Sequence, residues 1–241
     1  LSEEEKEAGV CLIDIGGGTT DIAIFHENII RHTAVIPFGG NIVTNDIKQG
    51  LMLLPMQAEQ LKTKFGKAIS EEASPNEIVS IPGIRNRAPK EISVKNLAGI
   101  IQARMEEIIE LAHMEIISSG CEGKLAGGIV ITGGGAQLNG LKQLVEYMTG
   151  MDTRIGYPNE HLGKSAFEAV KSPMYATGVG LVLAGFRSLD EREDRYKEVR
   201  ELNKAIKSKK PAVSSSKSFF NDIITKTKSL LIEDLDDKNE Y

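Results

Sequence analysis

The chain has 241 residues, a formal net charge of −5 and an ordinary composition for a globular protein, apart from few aromatics and no tryptophan. That length buries a sizeable core in one large or two modest domains, and the acidic balance argues against a nucleic-acid partner, which calls for a basic face. No uninterrupted apolar run approaches membrane-spanning length, and no signal peptide is visible.

Leu1 opens an acidic lead, Ser2-Glu-Glu-Glu-Lys-Glu7, that runs straight into an apolar segment, the pattern expected of a piece of a longer protein. Next comes Cys11-Leu-Ile-Asp14-Ile-Gly16-Gly17-Gly18-Thr19-Thr20-Asp21-Ile-Ala-Ile-Phe25. Ile22 and Ile24 alternate with Ala23 and Phe25, so the unit is strand, glycine turn, strand. A P-loop and a dinucleotide fingerprint both require a helix after the glycines, and topology disfavours them. What remains is a tight hairpin whose exposed N–H groups form an anion nest, with Asp14 at its rim able to hold a hydrated divalent cation. The plainer alternative is an ordinary glycine-rich turn, which needs fewer glycines than this.

A third strand is expected over Ile29–Ile36, followed by a helix starting at the Gly39-Gly40 pair. Its N-terminal N–H groups would offer a second anion-facing surface, or Asn41 would simply cap it. Pro55 precedes another helix over Met56–Gly66, where Glu59 and Lys62 share one face as a solvated charge pair or a site. From Lys67 to Val94, short β-leaning pieces at Ala68-Ile69, Ile78–Ile81 and Ile92–Val94, separated by Pro75, Pro82-Gly83 and Pro89, suggest a small inserted sheet. Its tip carries Arg85, Arg87 and Lys90, a solvated loop or a dock for an acidic peptide. Asn96–Ser119 is the longest helical stretch, its broad apolar stripe marking core packing, and Gly120 ends it.

The second glycine cluster, Gly127-Gly-Ile-Val-Ile-Thr132-Gly133-Gly134-Gly135-Ala-Gln137-Leu-Asn-Gly140-Leu141, has the order strand, loop, helix. Leu141 stands where a P-loop needs lysine, so this loop suits a flat group such as a nucleoside lying against bare backbone. A short strand near Ile155 follows, then a small-residue helix over Pro173–Gly185 expected to pack beneath a sheet. The globular part is expected to end near Phe186. A charged arm (190–210) and a Pro/Ser linker lead to an amphipathic segment with Phe219, Phe220, Ile223, Ile224, Leu230 and Leu231. That segment suits a membrane surface, a partner groove or a fold back onto the domain. Cys11 and Cys121 read as buried free thiols, and the histidines at 26, 32, 113 and 161 match no metalloprotease spacing.

The paired glycine clusters and the insertion between them resemble the second half of an actin-superfamily ATPase. Within it, Arg31-His-Thr-Ala-Val-Ile-Pro-Phe-Gly-Gly-Asn-Ile-Val-Thr-Asn-Asp46, Ala58–Gly66 and Tyr175–Leu181 are similar to the bacterial cell-division family FtsA. The resemblance implies an α/β, actin-like (ribonuclease-H-like) mixed sheet flanked by helices, with a small inserted α+β subdomain. It implies subdomain 2A over 1–54 and 120–188, subdomain 2B over 55–119, an arm and linker over 189–216 and a terminal amphipathic helix over 217–241. ATP and Mg²⁺ would be the cofactors: Asp14 would hold Mg²⁺ through water, while Gly16, Gly17, Gly18, Thr19 and Thr20 wrap the phosphates. Gly39 and Gly40 would lie nearby, Glu59 and Lys62 would meet ribose and adenine, and Gly133, Gly134, Gly135 and Gln137 would back the adenosine. Implied partners are the FtsZ C-terminal peptide at Arg85, Arg87 and Lys90, further copies in a polymer, and the inner membrane face at the division site. The superfamily's other phosphate loop belongs to a half not present here, so weak nucleotide binding and no hydrolysis are expected. A superfamily sugar or acetate kinase and a chaperone-type ATPase are the alternatives.

Overall fold

The computed structural model describes residues 1–83, 88–159, 162 and 168–208. The acidic lead is not merely a lead: Glu3–Ala8 forms a short helix, α1, with a reciprocal capping box in which the Ser2 side chain accepts from Glu5 N–H and the Glu5 carboxylate accepts from Ser2 N–H. The spacing Ser-x-x-Glu carries that signal in the sequence. Glu5 is also gripped by Arg154 through two hydrogen bonds, Nε to Oε1 at 2.6 Å and Nη2 to Oε2 at 2.7 Å. These bonds hold its carboxyl below the usual carboxylate range.

The alternating apolar runs form β1 (Val10–Ile15), β2 (Thr20–His26) and β3 (Ile29–Ile36). They pair antiparallel in succession, with an irregularity at Ile24/Phe25. The buried strand β6 (Ile129–Thr132) joins β1 in parallel, and β7 (Thr153–Ile155) joins β6 in parallel. The sheet order is therefore β3-β2-β1-β6-β7, a mixed sheet. Because side chains alternate across a strand, Cys11, Ile13, Ile15, Ile22, Ile24, Ile129 and Ile131 form one buried face. Leu12, Asp14, Asp21 and Thr132 lie in register on the other. Cys11 is fully buried, and loss of hydration pushes its thiol up to about 12.

Helix α2 (Gly40–Gly50) starts at the glycine pair and packs on α3 (Pro55–Phe65) and on the long helix α4 (Val94–Ser118). The expected Asn41 cap does not form; Gly39 occupies the cap position and makes no side-chain bond. Arg104 of α4 reaches Asp46 of α2 at 2.6 Å. The stripe Leu97, Ile101, Met105, Ile108, Ile109, Ala112 and Ile116 is buried, and α4 also packs on β2, β3 and α5 (Leu141–Thr149). Strands β4 (Ile78–Ile81) and β5 (Lys90–Ser93) make a two-stranded sheet. Ala68-Ile69 is not part of it: Ala68 N–H donates instead to the Asn139 carbonyl at 2.7 Å, tying this segment to the second glycine loop.

The expected helix over Pro173–Gly185 divides. Pro173–Tyr175 is a single 3₁₀ turn capped by the Ser172 side chain, and α6 runs from Ala176 to Ser208. Nor does its start lie buried beneath the sheet: Leu181 is 70 % exposed and Val182 59 %. The chain divides into two compact units, Leu1–Phe186 and Arg187–Tyr241. Among the described residues, no helix is long and apolar enough to cross a membrane.

Candidate functional site

Both glycine loops leave from neighbouring strand ends, so the fold brings them together. They line a cavity of about 860 Å³ whose walls include Asp14, Gly16, Gly17, Asp21, Gly40, Asn41, Glu59, Lys62, Gly133, Gly134, Gly135 and Gln137. That volume matches a small-molecule site. In the first loop Gly16 N–H closes onto the Thr19 carbonyl at 2.9 Å, while Gly17, Gly18 and Thr19 are exposed. Among the described residues, the N–H groups of Gly17, Gly18, Gly134 and Gly135 donate to no backbone carbonyl. They are therefore available to an anion or a ligand edge.

The second loop is pressed onto β1. Gly133 has φ +85°, and a Cβ there would lie 2.3 Å from Asp14 Oδ1 and 2.5 Å from the Ile15 carbonyl oxygen; a Cβ on Gly135 would lie 2.4 Å from Ile15 Cγ2. Gly134, between them, has open space on its side-chain side. Two glycines of the three are thus required by close packing, and the third leaves bare backbone facing the cavity.

The Gly39-Gly40 pair plays a different part from the one expected. A Cβ on Gly39 would lie 2.6 Å from the Gly16 carbonyl oxygen, so the pair lets α2 approach the first loop. Gly40 N–H then donates to the Gly16 carbonyl at 2.9 Å and Asn41 N–H to the Gly17 carbonyl at 2.7 Å. The first donors of α2 are consumed in fixing that loop, which removes them as a second anion-facing surface. Thr20 also turns away from the cavity: it is fully buried and its hydroxyl donates to the Phe38 carbonyl at 2.9 Å. Gly18 and Thr19 sit at the loop tip outside the cavity lining, with Thr19 Oγ1 donating to Asp21 Oδ2 at 2.9 Å.

Glu59 and Lys62 do more than form a solvated pair. Lys62 Nζ, mostly buried, donates to the Gly40 carbonyl at 2.9 Å and to Thr44 Oγ1 at 2.8 Å, and pairs with Glu59 Oε2 at 2.8 Å. Thr44 in turn bonds Glu59. Burial pushes the Glu59 carboxyl up, but the hydrogen bonds from Lys62 and Thr44 outweigh it and leave the group below the usual carboxylate range. The pair bridges α3 to the start of α2 at one side of the cavity.

Lys90 is exposed at the start of β5, and its ammonium donates to the carbonyl of Leu51, the residue that follows α2. It is not a free cation at the tip of the hairpin. Arg85 and Arg87 lie outside the described residues, as do Phe219, Phe220, Ile223, Ile224, Leu230 and Leu231. Asp14 and Asp21 stand directly opposite each other on β1 and β2. These are hard oxygen donors of the type that binds Mg²⁺ through its water shell, although no cluster of three metal-ligating side chains occurs among the described residues. Asp21, Asn41, Leu138, Asn139 and Thr177 also line the cavity, and none of them is among the residues expected above to contact the nucleotide. Asp21 and Thr177 sit inside stretches that carry the family resemblance, and their place in the motif is the signal that could have found them.

The family model for "Cell division protein FtsA" matches residues 11–180. This chain belongs to the FtsA family. It is 43 % identical over 187 residues to the cell division protein FtsA of Pseudomonas aeruginosa, covering 78 % of this chain and 44 % of that protein. With FtsA of Neisseria meningitidis it shares 40 % identity over 185 residues, 76 % of this chain and 44 % of the relative. The chain thus spans less than half the length of these curated relatives. Among solved structures, MreB5 of Spiroplasma citri bound to ADP, an actin-like protein, superposes with a TM-score of 0.53 at 26 % identity, covering 64 % of this chain and 50 % of that one. The actin-like fold and the FtsA family are therefore established, and the kinase and chaperone alternatives lose their ground.

Proposed function

We propose that this FtsA-family chain supplies one wall of an ATP cleft in a polymerising cell-division protein that tethers FtsZ to the inner face of the cytoplasmic membrane. The observation that carries the nucleotide part is the convergence of both glycine loops, with unpaired N–H groups, on one cavity of about 860 Å³. The first loop faces the phosphates, with Asp14 holding Mg²⁺ through water; the metal neutralises phosphate charge when bound. The Gly133–Gly135 backbone and Gln137 back the adenosine, and Glu59 and Lys62 border the ribose and base. The ADP carried by the MreB5 neighbour agrees with this assignment. In subdomain terms, 1–54 and 120–188 form 2A and 55–119 form 2B. The 241 residues alone, spanning less than half of their relatives' length, bind nucleotide weakly and do not hydrolyse it.

An NMR titration of the chain with ATP tests the site: the amides of Gly17, Gly134 and Gly135, all lining the cavity, shift together. Shifts confined to other regions, or none, refute it. The FtsZ peptide is assigned to the hairpin tip through Arg85 and Arg87, with Lys90 as part of its scaffold. Charge reversal, Arg85→Asp with Arg87→Asp, weakens peptide binding; unchanged affinity removes the patch from the site.

Membrane attachment is assigned to the segment from Phe219 to Leu231, near Lys217, Lys226 and Lys228. A single short amphipathic helix binds membranes marginally, and polymerisation would add avidity. The acidic end, from Glu233 on, opposes anionic lipid. Liposome co-sedimentation of the chain with and without residues 217–241 decides the point, equal sedimentation pointing instead to a protein groove or a folded-back segment.

A further inference from the structure

The turn from Ser172 to Thr177 is stitched to the floor of the cleft at four points. The Pro173 carbonyl accepts from Gly133 N–H at 3.2 Å and from Thr132 Oγ1 at 3.4 Å, and Ser172 Oγ donates to Gln137 Oε1 at 3.2 Å. The fourth bond is the shortest: Thr177 Oγ1 donates to Asp14 Oδ2 at 2.6 Å, joining residues 163 apart in the chain.

This bond acts on a carboxylate that is otherwise only half restrained. Asp14 Oδ1 packs so closely on the Gly133 backbone that a Cβ there would come within 2.3 Å of it. Across the strand pair stands Asp21, in direct register, and like charges at opposed positions repel. Asp21 has its own hydroxyl donor in Thr19. Among the described residues no other hydrogen bond reaches Oδ2, so the Thr177 hydroxyl is what opposes rotation of Asp14 away from its neighbour on that side. With it, both oxygens are fixed and Oδ2 keeps a lone pair for a further donor.

We propose that Thr177 is a positioning residue of the nucleotide site, its hydroxyl fixing the Asp14 carboxylate in the orientation that accepts hydrogen bonds from the water shell of the divalent cation accompanying the nucleotide. This inference rests on the nucleotide reading above. Hydrogen-bonding partners that orient a metal-binding group are commonly worth about 10–100-fold in metal affinity.

The test uses the 241-residue chain with Thr177→Val, which keeps the shape and loses the hydroxyl, and Thr177→Ser, which keeps the hydroxyl. ATP affinity is measured by NMR titration with Mg²⁺ and again with EDTA, and Asp14 χ1 is read from three-bond couplings in the ligand-free chain. In the wild type Asp14 holds one rotamer and Mg²⁺ tightens ATP binding. T177V averages that rotamer and loses about tenfold of the Mg²⁺-dependent gain, with affinity in EDTA unchanged; T177S behaves as the wild type. A merely structural role would weaken both conditions alike. Unchanged Asp14 couplings in T177V, an unchanged Mg²⁺-dependent gain, or a T177S variant that behaves as T177V overturns the inference. Absence of ATP binding by the wild type in both conditions overturns the nucleotide reading instead, and with it the cation part of this inference, while the couplings still decide whether Thr177 orients Asp14.

Discussion

Substituting alanine at Gly133 and at Gly134 separates two reasons for having glycines side by side. At Gly133 the backbone has φ +85°, and the new Cβ would lie 2.3 Å from Asp14 Oδ1 and 2.5 Å from the Ile15 carbonyl oxygen. The left-handed conformation costs a non-glycine residue about 1–2 kcal/mol, and forced displacement of packed neighbours about 1–3 kcal/mol more, for a total of about 2–5 kcal/mol. In a unit of this size that lowers the melting temperature by about 10 °C. Gly134 has φ −62° and ψ −36°, and nothing lies within 4 Å of its added Cβ. Gly134→Ala should therefore leave stability unchanged or raise it by about 0.4–1 kcal/mol through the unfolded chain. Its methyl group would face the cavity and lower nucleotide affinity. Thermal and urea unfolding followed by circular dichroism give the first comparison, and ATP titration the second. Equal losses of stability at the two positions, or a larger loss for Gly134→Ala, would refute the reasoning.

Replacing Lys62 by methionine removes the donor shared by the Gly40 carbonyl, Thr44 and Glu59. Urea unfolding of this variant should show a loss of about 2–3 kcal/mol, reflecting charged hydrogen bonds left unmade. The Glu5 carboxyl sits below its ordinary value because Arg154 bonds it. Its contribution is thus complete above the unfolded-state value and disappears as pH falls through the lower folded value. Between about pH 5 and pH 3 the wild-type unfolding midpoint should drop more steeply than that of Glu5→Gln; parallel curves would exclude the linkage. The Cys11 thiol, pushed up to about 12 by burial, should resist alkylation in the folded chain and react once denaturant is added, because the thiolate is the reactive species.

Most of the sheet was legible because its strands alternate cleanly. Ile22 and Ile24 against Ala23 and Phe25 specify a strand in the sequence as clearly as in the fold. The 25-residue helix α4 was legible from its stripe. What the pattern hid was partner choice. Ala68 looked like a piece of the small sheet, yet its N–H goes to Asn139 in the second glycine loop, 71 positions away by subtraction of the residue numbers. The Gly39-Gly40 pair resembled an anion site at a helix start, and only the fold shows that the Gly16 and Gly17 carbonyls already take those donors. Thr20 and Thr19 are neighbours of the same type, but strand alternation sends Thr20 into the core and leaves Thr19 outside. For α6 the run of small residues over Pro173–Gly185 suggested packing beneath a sheet, yet Leu181 and Val182 are exposed. Nothing in the spacing around Thr177 points to Asp14, 163 residues earlier; only its place in the stretch that resembles the family marks it.

The position of β1 in the sheet has one more consequence. It is the strand with an antiparallel neighbour on one side and a parallel neighbour on the other, so the chain reverses direction at its carboxyl end while β6 leaves in the same direction beside it. Such a topological switch point opens a crevice at the sheet edge without any residue being spent on excavating it. Everything between β3 and β6 is then a detour that starts beside the hairpin turn, where Ile36 pairs with Thr20 and α2 bonds the first loop, and finishes at the opposite end of β1, where Ile129 pairs with Cys11. Strands β4 and β5, which lie within that detour, line no part of the cavity, so the hairpin they form can change length while the two loops keep their spacing.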